Sequence, residues 1–138
     1  MNTPRILFVI LLLVGALSGP KYASAQGETH VTLQGQLVCS SCWFEADRTK
    51  VRYGDDGDLK CAKRCVRNAI PGALAVSEGG ATSLFILEDG QVSLSKEGKD
   101  WSDRAGKQVE ITGTVHKDGE KRFLRVDSLR VLPVGPAT

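Results

Sequence analysis

The sequence predicts a small, mainly β protein, a five-stranded barrel with one or two short helices. Hydrophobic and polar residues alternate over several short stretches, which is typical of half-buried strands. Turn sequences containing glycine separate these stretches, and only two segments have helical character. The chain has 138 residues. This is the length of a single domain, with room for one modest core.

Residues 1–25 have the pattern of a cleaved signal peptide. Met1 to Arg5 ends in a positive charge, an apolar run follows at 6–17, and Ala23-Ser24-Ala25 supplies the small residues of a cleavage site. A twelve-residue helix rises about 18 Å, against about 30 Å of membrane hydrocarbon. We therefore expect a periplasmic or secreted protein with no membrane span after signal cleavage.

The charge balance disfavours a nucleic-acid partner. The chain has 18 Lys and Arg against 16 Asp and Glu. Two of the basic residues, Arg5 and Lys21, lie in the leader, so the mature chain is close to neutral. Binding nucleic acid through bulk charge requires a basic excess. We expect no nucleic-acid partner, and a protein or small ligand that the sequence does not identify.

The expected domain, residues 26–132, begins with a strand and a long insertion. Residues 31–38 alternate with a period of two, and Gly35 at their centre suggests a bulge or a sharp coil. The insertion spans residues 39–72. Within it, Asp58 is a plausible N-cap for a helix from Leu59 to about residue 68.

Four further strands are predicted after the insertion. The second and third, at 73–76 and 82–87, are joined by a glycine hairpin, and the polar segment 96–105 has room for one or two helical turns. The fourth strand, 107–117, directs alternate apolar residues to one side. The fifth, 123–131, has two competing faces: Leu124, Val126 and Leu129, or Phe123, Arg125 and Asp127.

This order of elements matches the small Greek-key barrel called the OB-fold. A generic five- or six-stranded barrel or sandwich is the alternative. Residues 133–138 are predicted to form a disordered tail.

All four cysteines lie in the insertion, as Cys39-x2-Cys42 and Cys61-x3-Cys65. An even number in an exported chain favours two disulfides. Cys61 and Cys65 share one helix face and do not easily bond to each other. The bridges would then be 39–61 with 42–65, or 39–65 with 42–61.

Two other interpretations of the cysteines remain open. Four thiolates can bind one Zn or Cu ion, although the x3 spacing loosens the match to zinc ribbons. A redox-active Cys39-x-x-Cys42 is less favoured, because the motif follows a strand and precedes no helical pattern. Bridges and metal share one prediction, which is that all four sulfurs lie in a single cluster.

Two aromatic residues form a further candidate site, whereas common enzyme motifs are lacking. Trp43 and Phe44 follow Cys42 directly, and they suit either a ligand-stacking platform or a hydrophobic plug over the barrel end. The sequence contains no nucleophile elbow, dinucleotide motif or phosphate-binding loop. We therefore assign no catalytic residues and favour a protein that is not an enzyme.

The stretches VTLQGQLVCSSC, CAKRCV and GKQVEITGTVHKDG resemble small exported OB-like proteins of environmental bacteria. The resemblance covers most of residues 31–131 and implies no known activity. In these proteins a second Cys or His follows the first strand, and an alternation of Cys with His suits a metal ligand better than a disulfide. The resemblance therefore brings the metal interpretation close to parity with the bridges.

Together these observations predict an exported, non-catalytic binding or accessory module. Its four cysteines would form a structural cluster, as two disulfides or as a site for one Zn or Cu ion. The alternative is a periplasmic zinc- or copper-binding protein. A thiol-disulfide oxidoreductase is a more distant third.

Overall fold

The computed structural model describes residues 27–95 and 100–134. The predicted signal peptide, residues 1–25, and the last four residues of the predicted tail lie outside this part of the chain. The strands and the helix are β1 (Thr29–Cys39), α1 (Asp56–Arg67), β2 (Gly72–Glu78), β3 (Ala81–Asp89), β4 (Gln108–Asp118) and β5 (Lys121–Val131). Two short 3₁₀ turns, Cys42–Glu45 and Trp101–Arg104, complete the described elements.

The five strands close into a barrel in the order β1-β2-β3-β5-β4, with β4 pairing back onto β1. Only the pairing of β3 with β5 is parallel. This is the OB-like Greek-key topology, and the predicted fold class is confirmed. In the part of the chain that the structure describes, no helix has the length and apolarity to cross a membrane.

β1 pairs with two neighbouring strands, β2 and β4. Gln36 pairs with Ala75 of β2 and also with Gln108 of β4. A Cβ at Gly35 would collide with the carbonyl oxygen of Ala75, so only glycine allows the backbones to approach this closely. The register of β1 is unbroken through Gly35. The strand is therefore sharply coiled and has no bulge there.

A β-bulge in β5 decides which of its two candidate faces is buried. Neighbouring β4 residues pair with Ser128 and Val126, which leaves Asp127 as an extra residue in β5. The extra residue shifts the alternation by one position. Leu124 and Val126 therefore point into the core before the bulge, and Leu129 packs against the core after it.

Helix α1 begins earlier than the sequence predicts. It starts at Asp56, and its N-cap is Asp55, whose carboxylate accepts a hydrogen bond of 2.8 Å from the backbone N–H of Asp58. The prediction of Asp58 as the cap was wrong, because its carboxylate is engaged elsewhere. The helix packs against β1 and the second 3₁₀ turn.

The core fills the barrel and continues under the insertion. Its largest fully buried aliphatic side chains come from all the strands except β3: Leu37, Val38, Leu74, Val109, Ile111, Leu124 and Val126. Trp101, from the second 3₁₀ turn, lies so close to Gly72 that a Cβ there would overlap the indole ring. The start of β2 is therefore covered on the side where the insertion ends.

Candidate functional site

The four cysteine sulfurs gather in one cluster, as the sequence predicts. Cys42 and Cys61 are joined by a disulfide. The Sγ of Cys65 lies 3.6 Å from that of Cys42 and 3.8 Å from that of Cys61. The sulfurs of Cys39, Cys42 and Cys65 all lie within 4.8 Å of one another. The four residues therefore form one site, with one bonded pair and two free thiols.

Three elements bring these sulfurs together. Cys39 is the last residue of β1, and Cys42 opens the first 3₁₀ turn, where its backbone N–H lies 3.5 Å from the Cys39 sulfur as a hydrogen-bond donor. Cys61 and Cys65 lie one turn apart on α1 and share a face. The cluster thus ties the barrel, the turn and the helix at one place.

The bonded pair matches one of the two predicted bridge patterns. Cys42–Cys61 belongs to the pattern that also pairs Cys39 with Cys65, whereas those two residues are buried free thiols here. Burial raises the pKa of the Cys65 thiol to about 11, and its hydrogen bond with Cys39 acts in the same direction. Cys65 is therefore a protonated thiol at neutral pH and a poor nucleophile.

An ion pair holds the Cys42 turn against the helix. The guanidinium of Arg48 donates hydrogen bonds to the carbonyl oxygens of Cys42 (2.9 Å) and Trp43 (3.0 Å). It also pairs with the carboxylate of Asp58 at 3.0 Å. Asp58 in turn accepts the backbone N–H of Gly54 at 2.9 Å. The backbone that carries Cys42 is therefore fixed to the first turn of α1.

Tyr53 supports the cluster from the barrel side. Its buried hydroxyl accepts the backbone N–H of Cys39 at 3.0 Å, and Gln36 donates to its carbonyl oxygen at 2.9 Å. Burial raises the pKa of the phenol to about 12, and the hydrogen bond from Cys39 acts in the opposite direction. Tyr53 therefore fixes the end of β1 as a neutral side chain.

Sequence reasoning missed the roles of Arg48, Asp58 and Tyr53. Arg48 and Asp58 are ten residues apart, and Tyr53 and Cys39 fourteen apart, in a segment with no periodic pattern. The one available signal was an aromatic residue, Tyr53, within a polar stretch, which is consistent with a buried anchor.

Trp43 and Phe44 are not brought together in one groove. Trp43 packs against the ring of Tyr53, with centroids 6.2 Å apart, and beneath the guanidinium of Arg48. Phe44 is 76% exposed and lines a groove of about 390 Å³ beside β3 and the β4–β5 turn. A ligand platform at these residues stays a prediction, with Phe44 as its accessible ring.

A second set of metal-ligand atoms overlaps the cluster on its outer side. A carboxylate oxygen of Glu45 and the sulfurs of Cys42 and Cys61 all lie within 4.8 Å of one another. Glu45 is exposed, whereas Cys42 is buried. Cys42 therefore belongs both to this outer set and to the buried set with Cys39 and Cys65.

Comparison with known proteins leaves the geometry as the basis for assigning a function. No protein-family model matches the chain. No curated protein matches it either.

Proposed function

We propose that the protein is an exported, non-catalytic accessory module whose four cysteines fix the β1–β2 insertion to the barrel. Export is supported by the signal-peptide pattern of residues 1–25. The observation that carries the structural role is the meeting of all four sulfurs at the end of β1. Kinship with the small exported OB-like proteins is part of this proposal and is supported by the barrel topology.

The insertion buries few of its own side chains, so the cysteines act beside the Arg48–Asp58 ion pair and Tyr53 in holding its shape. Between residues 40 and 71, the buried side chains are those of Cys42, Tyr53, Ala62 and Cys65. So few buried apolar groups contribute little to the free energy of folding, and small units of this kind need cross-links or metal. The Cys42–Cys61 bridge spans 19 residues. A loop of this length implies a stabilisation of about 3 kcal/mol.

Paired substitution of Cys42 and Cys61 by alanine tests this role. We expect the free energy of unfolding to fall by about 3 kcal/mol and limited proteolysis to cut within residues 46–55. Ser41→Ala is the matched control, because Ser41 is exposed in the same turn and its side chain caps nothing. Unchanged urea unfolding and unchanged protease resistance in the double variant would contradict a structural role.

A zinc- or copper-binding function is the second candidate, and the two distances from the Cys65 sulfur to its neighbours are compatible with it. Four thiolates around Zn²⁺ at about 2.3 Å have sulfurs about 3.8 Å apart, by tetrahedral geometry. The Sγ of Cys65 lies 3.6 Å from that of Cys42 and 3.8 Å from that of Cys61, close to this tetrahedral separation. The Cα atoms of Cys42 and Cys61 are 7.1 Å apart. That separation exceeds the usual disulfide range of about 4.4–6.8 Å.

Intact mass distinguishes the two candidates. The protein is isolated from its native compartment and alkylated with and without a chelator. A mass two hydrogens below the fully reduced value supports the single Cys42–Cys61 bridge, and a mass four hydrogens below it supports a second bridge between Cys39 and Cys65. Thiols that become alkylatable only after chelation support a metal site. Four thiols that are freely alkylated in the folded protein would contradict both.

The environment of the thiols disfavours an oxidoreductase. Such enzymes use an accessible cysteine with a lowered pKa. Cys39 and Cys65 are both buried, and the pKa of Cys65 is raised. The Cys39-x-x-Cys42 pair is also not the bonded pair. A structural or metal-binding role accounts for these features better than thiol-disulfide exchange.

A further inference from the structure

We propose that Glu45 is the capture ligand of the metal site, the side chain that first binds a soft metal ion and passes it to the buried cysteines. This inference rests on the metal-binding function proposed above and applies to the reduced protein. It assigns a role to a carboxylate that makes no hydrogen bond or ion pair with the described residues, although it lies beside two sulfurs.

The two ligand sets differ in their access to solvent. The inner set is closed, with Cys39, Cys42 and Cys65 exposed by 0%, 2% and 5%. The outer set contains the exposed Glu45 and the partly exposed Cys61, and it shares Cys42 with the inner set. An ion arriving from solvent therefore reaches Glu45 and Cys61 before it reaches Cys39 or Cys65.

The chemistry of the ligands gives the transfer a direction. A carboxylate oxygen holds a soft or borderline ion less strongly than thiolates do. The outer set offers two sulfurs and one oxygen, and the inner set adds two further sulfurs. Replacement of the Glu45 oxygen by Cys39 and Cys65 completes a four-sulfur site and leaves the Glu45 carboxylate free again. For Zn²⁺, the four thiols release four protons, and the completed site carries two negative charges.

Arg64 is placed to balance part of that negative charge. Its guanidinium lies 3.8 Å from the Cys61 sulfur, as a hydrogen-bond donor. The backbone N–H of Cys42 donates in the same way to Cys39. Hydrogen bonds of this kind orient ligands and tune metal sites.

The Cys42–Cys61 disulfide has to be opened before the ion binds. A dithiol reductant supplies the two electrons and two protons, and is itself oxidised to a disulfide. The cluster therefore takes up metal only after reduction, and the test uses the reduced full mature chain.

The test separates the rate of metal binding from its affinity. Reduced wild-type protein, Glu45→Gln and Glu45→Asp are mixed with Co²⁺ or Zn²⁺, and uptake and chelator-driven release are followed by stopped-flow absorbance. Glu45→Gln should slow metal uptake and metal release by about tenfold each. Its equilibrium affinity should stay within about twofold of the wild-type value, and its cobalt spectrum should be unchanged. Glu45→Asp should recover part of the rate. Glu78→Gln, an exposed glutamate at the end of β2, is the matched control.

Each other outcome overturns the inference in a distinguishable way. Unchanged rates in Glu45→Gln would show that the carboxylate takes no part in capture. A large loss of affinity with an altered cobalt spectrum would make Glu45 a permanent ligand. No binding of either metal by the reduced wild-type protein would overturn the metal-binding function itself, and this inference with it.

Discussion

Replacing Arg48 with methionine removes the side chain that holds the cysteine-bearing turn against α1. Methionine preserves most of the aliphatic volume and removes the guanidinium. The side chain of Arg48 is only 9% exposed and that of its partner Asp58 only 13%. The substitution therefore leaves a largely buried carboxylate without its counter-ion, and it deprives the carbonyls of Cys42 and Trp43 of their donor.

The size of the effect follows from that environment. Breaking a buried ion pair by removing one partner costs about 3–5 kcal/mol. Asp58 keeps the hydrogen bond from Gly54 at 2.9 Å, which partly compensates its charge. We therefore expect Arg48→Met to lower the free energy of unfolding by about 3 kcal/mol. That is a large part of the stability of a small domain.

A double-mutant cycle with Asp58→Asn isolates the pair. Asparagine keeps an oxygen that can accept from Gly54 and removes the charge. Unfolding is measured in urea for both single variants and for the double variant. The double variant should be more stable than the sum of the single losses predicts, by about 1.5 kcal/mol or more. Arg52→Met is the control, because Arg52 is an exposed arginine in the same insertion.

Two results would refute this account. A loss below about 0.5 kcal/mol for Arg48→Met would place the pair among exposed ion pairs of negligible strength. Strict additivity in the cycle would show that the two side chains do not stabilise each other.

Three further substitutions or modifications test other parts of the structure. Gly35→Ala should lower the free energy of unfolding, measured by thermal unfolding, by about 3 kcal/mol, because the new Cβ collides with the carbonyl oxygen of Ala75 in β2. Gly27→Ala is the control and should leave stability unchanged, because a Cβ there meets no atom. Tyr53→Phe should cost about 1 kcal/mol by removing the acceptor for Cys39. Burial raises the pKa of Tyr53 to about 12. Wild-type stability should therefore fall as pH rises from 10 towards 12, and the Phe variant should lose less over that window. The Cys65 thiol, whose pKa is raised to about 11, should react with iodoacetamide at pH 8 far more slowly than a free cysteine in unfolded protein.

The strands and the cysteine-bearing helix could be predicted because their signals are local. The alternation in β4 identified its inward residues, including Val109 and Ile111, which are fully buried. The spacing of Cys61 and Cys65 placed both sulfurs on one helix face. Clustering of all four sulfurs followed from their position in one insertion between adjacent strands.

The chain alone thus determined the order of elements and the residues of the cluster, because periodicity and spacing act over a few neighbouring positions. It favoured the OB-like topology over a generic barrel or sandwich, and the pairing of the five strands decided between them. Tertiary structure decided the bulge at Asp127, which selects the buried face of β5. It also decided the pairing of Arg48 with Asp58 and the bonding of Cys42 to Cys61. These features depend on contacts between residues distant in sequence, and such contacts exist only once the barrel has closed.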